Sequence, residues 1–362
     1  MIAVDFFCGA GGLTRGLMNA GISVVMGVDS DERCRRTYIE NNRGASFLTA
    51  DIRDLTFSEI RRRLGRVPAA ELLFAGCAPC QPFSQQKKSG GDCTRGTLLG
   101  RFGEFVEEFR PGQVLIENVP GIARVPGFST YRRFVKMLLE CGYKFADAVL
   151  DAKFYGVPQN RDRYVLIAML EATPTLPRST HGPGLVPFRT VRDAIDAYPR
   201  IRAGEQHPDV SNHVSADISS INMERLRHTP KNGGDRRSWP RNLVLACHKK
   251  EYDGHTDVYG RMWWDKPAPA LTGRCHSISN GRYGHPSQNR AISLREAASL
   301  QSFPDDYVFF GSNKHIALQI GNAVPVKLAE EIGRHILSLR HQARAMNPSA
   351  PLRQNGRRGR TR

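Results

Sequence analysis

A thiol framed by two prolines is the first place where the chain could do chemistry. Gly76-Cys77-Ala78-Pro79-Cys80-Gln81-Pro82-Phe83-Ser84 follows the short apolar run Leu72–Ala75, and prolines on either side of Cys80 fix a backbone that can present the thiol rigidly. Cys77 and Cys80 also make a Cys-x-x-Cys pair, which suits a redox couple or half a zinc site. No second such pair and no His-x-x-x-His accompanies it, and the adjacent residues of Cys247-His248 and Cys275-His276 are poorly spaced to share one ion, so no metal site is predicted. The scaffold of a thioredoxin-like couple is missing as well. A nucleophile and a buried thiol remain, and the proline-framed turn favours the nucleophile.

Three further blocks hold reactive groups. Glu117-Asn118-Val119-Pro120 ends the run Val114–Glu117 and would bring a carboxyl group to the same rim as Cys80; a solvated strand-end carboxylate is the plainer alternative. Gln159-Asn160-Arg161-Asp162-Arg163 places two arginines at i and i+2 where a strand begins, hence on one face, suited to an anionic backbone or a carbonyl unless they serve surface salt bridges. Phe7-Cys8-Gly9-Ala10-Gly11-Gly12 is a glycine turn between a strand and a helix, where free N–H groups can face a nucleotide-type ligand. Asp29, about 20 positions on, stands where a ribose hydroxyl pair would be gripped. Asp51, closing a third strand region, could reach an adenine amine or cap a helix starting near Leu55.

Alternating elements must hold these groups. Ile2–Phe7, Ile22–Asp29, Leu72–Ala75, Val114–Glu117 and Tyr164–Ala168 read as buried strands; helical periods cover Leu13–Ala20, Asp31–Asn41, Leu55–Leu64, Thr97–Phe109 and Tyr131–Cys141. Such alternation predicts an α/β fold with a mostly parallel, doubly wound sheet and ligands at the carboxyl ends of its strands. Residues 1–170 form this first domain. From 171 to 290 the texture turns to Pro, Gly, His, Arg and Asn, predicting a smaller, irregular lobe, and its eight histidines lack ligand spacing. Helical patterns return over 291–345, at Leu294–Gln301 and Val326–Leu339, so the chain comes back to the first domain. The arginine-rich tail, 346–362, is expected to be disordered.

Lys+Arg of 52 against Asp+Glu of 35 give a net charge of +17, which favours a polyanionic partner, nucleic acid foremost. No run of about 18 apolar residues and no leader pattern is present, so no membrane span is expected. The eight cysteines lack the paired spacings of a small disulfide-stapled domain and read as reduced thiols of a cytoplasmic protein.

Together these blocks resemble the DNA (cytosine-5)-methyltransferase family over residues 2–340. Asp5-Phe6-Phe7-Cys8-Gly9-Ala10-Gly11-Gly12 is similar to its cofactor motif, Pro79-Cys80-Gln81 to its nucleophile motif, Glu117-Asn118-Val119 to its activating motif, and Gln159-x-Arg161-x-Arg163 to the next. Arg295-Glu296-Ala297-Ala298 with Gln301-Ser302-Phe303-Pro304, and Gln319-Ile320-Gly321-Asn322-Ala323-Val324-Pro325, resemble the last two. The resemblance implies a class I S-adenosylmethionine-dependent methyltransferase fold, a Rossmann-like doubly wound sheet with a target-recognition lobe. It implies S-adenosylmethionine held by Phe7, Gly9, Gly11, Asp29, Asp51, Ile52, Pro79, Leu98, Asn322 and Val324. It also implies Cys80 adding to C6 of a flipped cytosine in double-stranded DNA, Glu117 at N3, and Arg161 and Arg163 in the catalytic set. Gln81, Ser84, Lys87, Lys88 and Arg95 are the expected DNA contacts, with residues 85–96 a loop able to close over the duplex. A cognate restriction endonuclease acting on the same site is a candidate partner, and monomer is the expected state.

Two positions depart from the family pattern. Ser30 stands where several relatives stack an aromatic on adenine, and Ala270 where similar bacterial enzymes carry Thr. An RNA-directed enzyme on the same scaffold and an inactive DNA-binding relative are the alternatives. The Cys-Phe-Thr tripeptide of the RNA-directed branch is absent, and Cys80, Glu117 and Arg163 are intact.

Overall fold

Short apolar segments bounded by Gly, Pro and Asn pair into one seven-stranded sheet of order β3-β2-β1-β4-β5-β7-β6. The computed structural model describes residues 1–78, 96–124, 129–248 and 257–346. The strands are β1 (Ile2–Phe6), β2 (Ser23–Asp29), β3 (Ser46–Thr49), β4 (Leu72–Gly76), β5 (Gln113–Asn118), β6 (Lys144–Asp151) and β7 (Asp162–Met169). The first five run parallel, and β7 is antiparallel to both its neighbours. The order reverses between β1 and β4, so the crevice beyond their carboxyl ends is where a ligand belongs.

Helices cover both faces of this sheet. They are α1 (Gly12–Asn19), α2 (Arg35–Asn41), α3 (Phe57–Leu64), α4 (Gly96–Phe109), α5 (Gly121–Arg124) and α6 (Ser129–Glu140), then α7 (Val191–Ile195), α8 (Ser220–His228), α9 (Leu294–Leu300), α10 (Asn313–Asn322) and α11 (Val326–Met346). Alternation along β1 sends Val4 and Phe6 into a cluster with Phe74, Phe102, Phe105 and Ile116, and Ala3 into another with Leu17, Leu73, Ile332 and Ile336. The second cluster brings the end of the chain onto its beginning. A Cβ added to Gly16 of α1 would stand 2.4 Å from that of Ala329 on α11, so only glycine permits this approach.

Some boundaries differ from the sequence pattern for local reasons. The helix expected from Leu55 begins at Phe57, because the Thr56 hydroxyl accepts the Glu59 amide and caps it; Asp51 does not serve as that cap. The run expected as one helix from Asp31 opens as a 3₁₀ turn, Glu32–Cys34, before α2. The pattern missed β6, whose faces are mostly half-exposed at the sheet edge and so carry no clean apolar alternation. α11 runs seven residues past Leu339, to Met346.

Beyond Met169 the chain leaves the sheet. Up to α9 the described residues form short helices, 3₁₀ turns and isolated bridges rather than a ladder. A small cluster of Leu226, Trp239, Leu243, Tyr259, Ile278 and Ala291 is the apolar centre there. Buried guanidiniums do much of the remaining work. Arg261 donates to the carbonyls of Leu226, Thr229, His285 and Gln288, and Arg290 pairs with Glu296, which also closes the capping box at the start of α9. No helix among the described residues is long and apolar enough to cross a membrane.

Candidate active site

Past the end of β1 the backbone turns sharply. Phe7, Gly9 and Gly11 all have positive φ, at 62°, 50° and 90°. Cys8 N–H donates to the Val28 carbonyl, Gly9 N–H to Asp29 Oδ2 at 2.8 Å and Asp31 N–H to Asp29 Oδ1 at 2.8 Å, so Asp29 joins the turn to the end of β2. Burial raises the Asp29 carboxyl above its ordinary pKa. The glycines differ in what surrounds them. A Cβ on Gly9 would meet nothing within 4 Å, whereas one on Gly11 would lie 2.5 Å from Asn42 Nδ2 and one on Gly12 2.4 Å from the Val324 carbonyl. The cradle is therefore open at Gly9 and walled at Gly11 and Gly12, which suits a ligand lying along the backbone at Gly9.

Phe7, Ile52 and Leu98 pack on one apolar cluster, and Ala50 N–H donates to the Asp29 carbonyl, which sets Asp51 beside the end of β2. Asp51 is forked by Arg53, which holds its carboxyl below the usual range. Asn322 ends α10 exposed, and Val324 is buried against the cradle. Phe7, Gly9, Gly11, Asp29, Asp51, Ile52, Leu98, Asn322 and Val324 thus come from five segments that meet around β1, β2 and β3.

On the other side of the crevice, Cys77 N–H donates to the Phe6 carbonyl and Asn118 Nδ2 donates to the Ala78 carbonyl at 2.7 Å, which ties the chain entering residue 79 to the end of β5. Glu117, buried, lies with its Oε1 2.8 Å from Arg163 Nε, and Arg163 is itself mostly buried. Burial and the neighbouring Glu117 carboxylate push the Cys77 thiol well above its ordinary value, which does not favour a thiolate there. Pro79, Cys80, Gln81, Ser84, Lys87, Lys88 and Arg95, with the loop expected over 85–96, lie outside the described residues, as does the tail from 347.

Arg161 and Arg163 have different surroundings although they are two residues apart. Arg163 faces Glu117. Arg161 is buried, and its guanidinium donates to Gln159 Oε1, to the Leu271 carbonyl at 2.6 Å and to the Gly321 carbonyl at 2.7 Å. Gln159 Nε2 donates to the Leu300 carbonyl and Gln301 Nε2 to the Ile320 carbonyl, and a Cβ on Gly321 would lie 2.2 Å from the Thr272 carbonyl carbon. Four stretches, 159–161, 271–272, 300–301 and 320–321, are thereby knotted behind the rim. Their carbonyl pairing left no periodic signal in the sequence.

Asp5 was also unassigned from sequence. It is wholly buried in β1, accepts the Thr14 hydroxyl at 2.7 Å on Oδ2, has no partner on Oδ1, and is pushed by burial up to about 7. Among the described residues Asp31, Cys34 and His315 place three donor atoms within 4.8 Å of one another. Arg33 already forks Asp31, and burial raises the Cys34 thiol to about 12.

Comparison with known proteins bears on this geometry. The family model described as C-5 cytosine-specific DNA methylase matches residues 1–338. The type II methylase M.HgiDII of Herpetosiphon aurantiacus is 38% identical over 338 residues, covering 92% of this chain and 94% of that protein. The type II methyltransferase M1.HphI of Haemophilus parahaemolyticus is 32% identical, covering 93% of this chain and 86% of its own. Among solved structures, a candidate DNA modification methyltransferase encoded within an Escherichia coli prophage superposes with a TM-score of 0.75 at 24% identity, covering 94% of this chain and 99% of that one.

Proposed function

Because the chain belongs to the C-5 cytosine-specific DNA methylase family and is a DNA cytosine-5 methyltransferase, we propose that Cys80 is its nucleophile and S-adenosylmethionine its methyl donor. C5 of cytosine is a weak nucleophile until a thiolate adds at C6, which gives C5 enamine character. Cys80 forms that bond. Glu117 shares a proton with N3 as the ring accepts electrons, and Arg163 turns its remaining N–H groups to the cytosine carbonyl oxygen. When bound, S-adenosylmethionine supplies the electrophilic methyl group that C5 takes. A water then takes the C5 proton, the C5–H electron pair re-forms the C5–C6 double bond, and Cys80 leaves as the thiolate.

The observation that carries this reading is the buried Glu117–Arg163 pair, beside the strand end where Asn118 holds Ala78, two residues before Cys80. Asp29 would hold the ribose, Asp51 the adenine amine, and Phe7, Ile52, Pro79 and Leu98 the apolar faces of the donor, with Gly9, Gly11, Asn322 and Val324 along its remaining length. Arg161 is a positioning residue in this scheme, because its N–H groups fix the strands and turns behind the rim. A ring stacked in duplex DNA is out of reach of such a pocket, so the target cytosine must be flipped out. Residues 171–290 would read the sequence, with Gln81, Ser84, Lys87, Lys88 and Arg95 touching DNA around the flipped base. Monomeric action in a bacterial cytoplasm, alongside an endonuclease of the same specificity, completes the proposal.

Labelled methyl transfer tests it. Label is expected in cytosines of duplex DNA, absent with Cys80→Ala although that variant still binds DNA. Label in RNA alone would overturn the assigned substrate.

A further inference from the structure

The irregular lobe contains an open cleft of about 980 Å³ whose walls include Arg200, Arg202, Glu205, Lys231, Gln288 and Asn289. Arg200, Arg202 and Lys231 are exposed, and none has an ion-pair or side-chain hydrogen-bond partner among the described residues. The buried guanidiniums of the lobe are engaged: Arg225 with the Leu243 carbonyl, Arg261 with four carbonyls, Arg282 with Asp257 and Arg290 with Glu296. Three unpaired cations thus gather at one cleft beside a single carboxylate, Glu205, which already accepts the Arg202 amide at 2.6 Å.

The cleft's amide oxygens are already taken and are not free to accept from a base. Gln288 Oε1 accepts from the Ile201 amide and from Arg290 Nε, its Nε2 faces His285, and Asn289 Oδ1 accepts from Arg261. Reading a base edge requires donors held in one direction by packing and hydrogen bonds, whereas phosphate is satisfied by cations on flexible stems. We propose that this cleft holds phosphates of the DNA backbone beside the recognition sequence, adding affinity and register without reading bases. The proposal rests on DNA being the substrate.

Equilibrium binding of the full chain to duplexes with and without its methylation site, measured across salt concentration, tests it with Arg200→Gln, Arg202→Gln and Lys231→Gln combined. Each phosphate contact contributes about 0.9 to the slope of log Kobs against log salt, so the triple variant is expected to bind with a slope shallower by about two to three. Its preference for the site over other duplexes should equal that of the unaltered chain, and Arg200→Lys with Arg202→Lys should keep the original slope. An unchanged slope in the triple variant would overturn the cleft assignment, and loss of site preference would make it a base reader instead. Equal competition by inorganic phosphate or free nucleotide would make it a small-anion site. If the unaltered chain shows no salt-dependent duplex binding, the DNA reading fails first and the cleft proposal with it.

Discussion

In the sheet domain, Val4, Phe6, Phe74 and Ile116 lie under aromatic helices while their amides and carbonyls are taken up by neighbouring strands. Around Arg261 the situation is reversed: no ladder runs there, and the carbonyls of Leu226, Thr229, His285 and Gln288 converge on one buried guanidinium. Buried backbone groups need partners in either case. A ladder supplies them from any apolar sequence of the right period, whereas an irregular lobe needs side chains with several donors, and arginine has five. The sheet can therefore hold a fixed chemistry at its strand ends, while the lobe can change its outer surface as long as the arginine anchors stay.

Four substitutions sharpen or break this contrast. Glu117→Gln, at the rim, should lower kcat for methyl transfer by about 10²–10⁴-fold while the melting temperature moves little, because the loss falls on proton sharing at N3 rather than on packing; a variant with unimpaired turnover would remove Glu117 from the mechanism. Asp5 makes the stability of the sheet domain depend on pH. The unfolded chain loses this proton near the ordinary value of 3.8 and the folded chain holds it to about 7. Between those values the folded state binds more protons, so stability falls as pH rises, by on the order of 4 kcal/mol over the window. Asp5→Asn should flatten that part of the denaturation profile; an identical slope would show that Asp5 is not the group responsible.

Arg261→Met tests the lobe. Burial already presses the guanidinium down to about 10, and removing it strands four carbonyls and Asn289 Oδ1. Loss of about 3 kcal/mol in urea unfolding is expected, with methyl transfer at low temperature surviving in whatever fraction stays folded. A cost below about 1 kcal/mol would mean the carbonyls find water, and that the arginine is no anchor. Gly12→Ala is the mildest, because its Cβ would press on the Val324 carbonyl at 2.4 Å and α11 must give way. About 1–3 kcal/mol of destabilisation is expected, with weaker donor binding; unchanged binding would separate the return segment from the cofactor site.

The same contrast explains what was legible in the sequence. β1, β2, β4, β5 and β7 could be read because each is a short apolar run ended by a turn residue, and their order foretold a doubly wound sheet. β6 could not, since an edge strand with both faces half-wet has no apolar period. Glu117 and Arg163 were readable as rim residues because both sit beside strand ends, and the structure sets them 2.8 Å apart. Arg161 was read with Arg163 as one pair, yet it reaches carbonyls more than a hundred residues away, and contacts to backbone leave no trace in residue type. Arg261, Arg282 and Arg290 are buried, and the polar texture of 171–290 gave no sign of which arginines would be. Asp5 was visible as a carboxylate in an apolar strand, but burial alone gives it its character.

The chain methylates cytosine in DNA, on the proposed mechanism through a transient covalent bond from Cys80 to C6. Mapping 5-methylcytosine across the DNA of cells expressing the chain or its Cys80→Ala variant tests that most directly. The account predicts 5-methylcytosine at one recurring sequence with the unaltered chain and none with the variant. Methylation that persists in Cys80→Ala, or none with the unaltered chain, would contradict it.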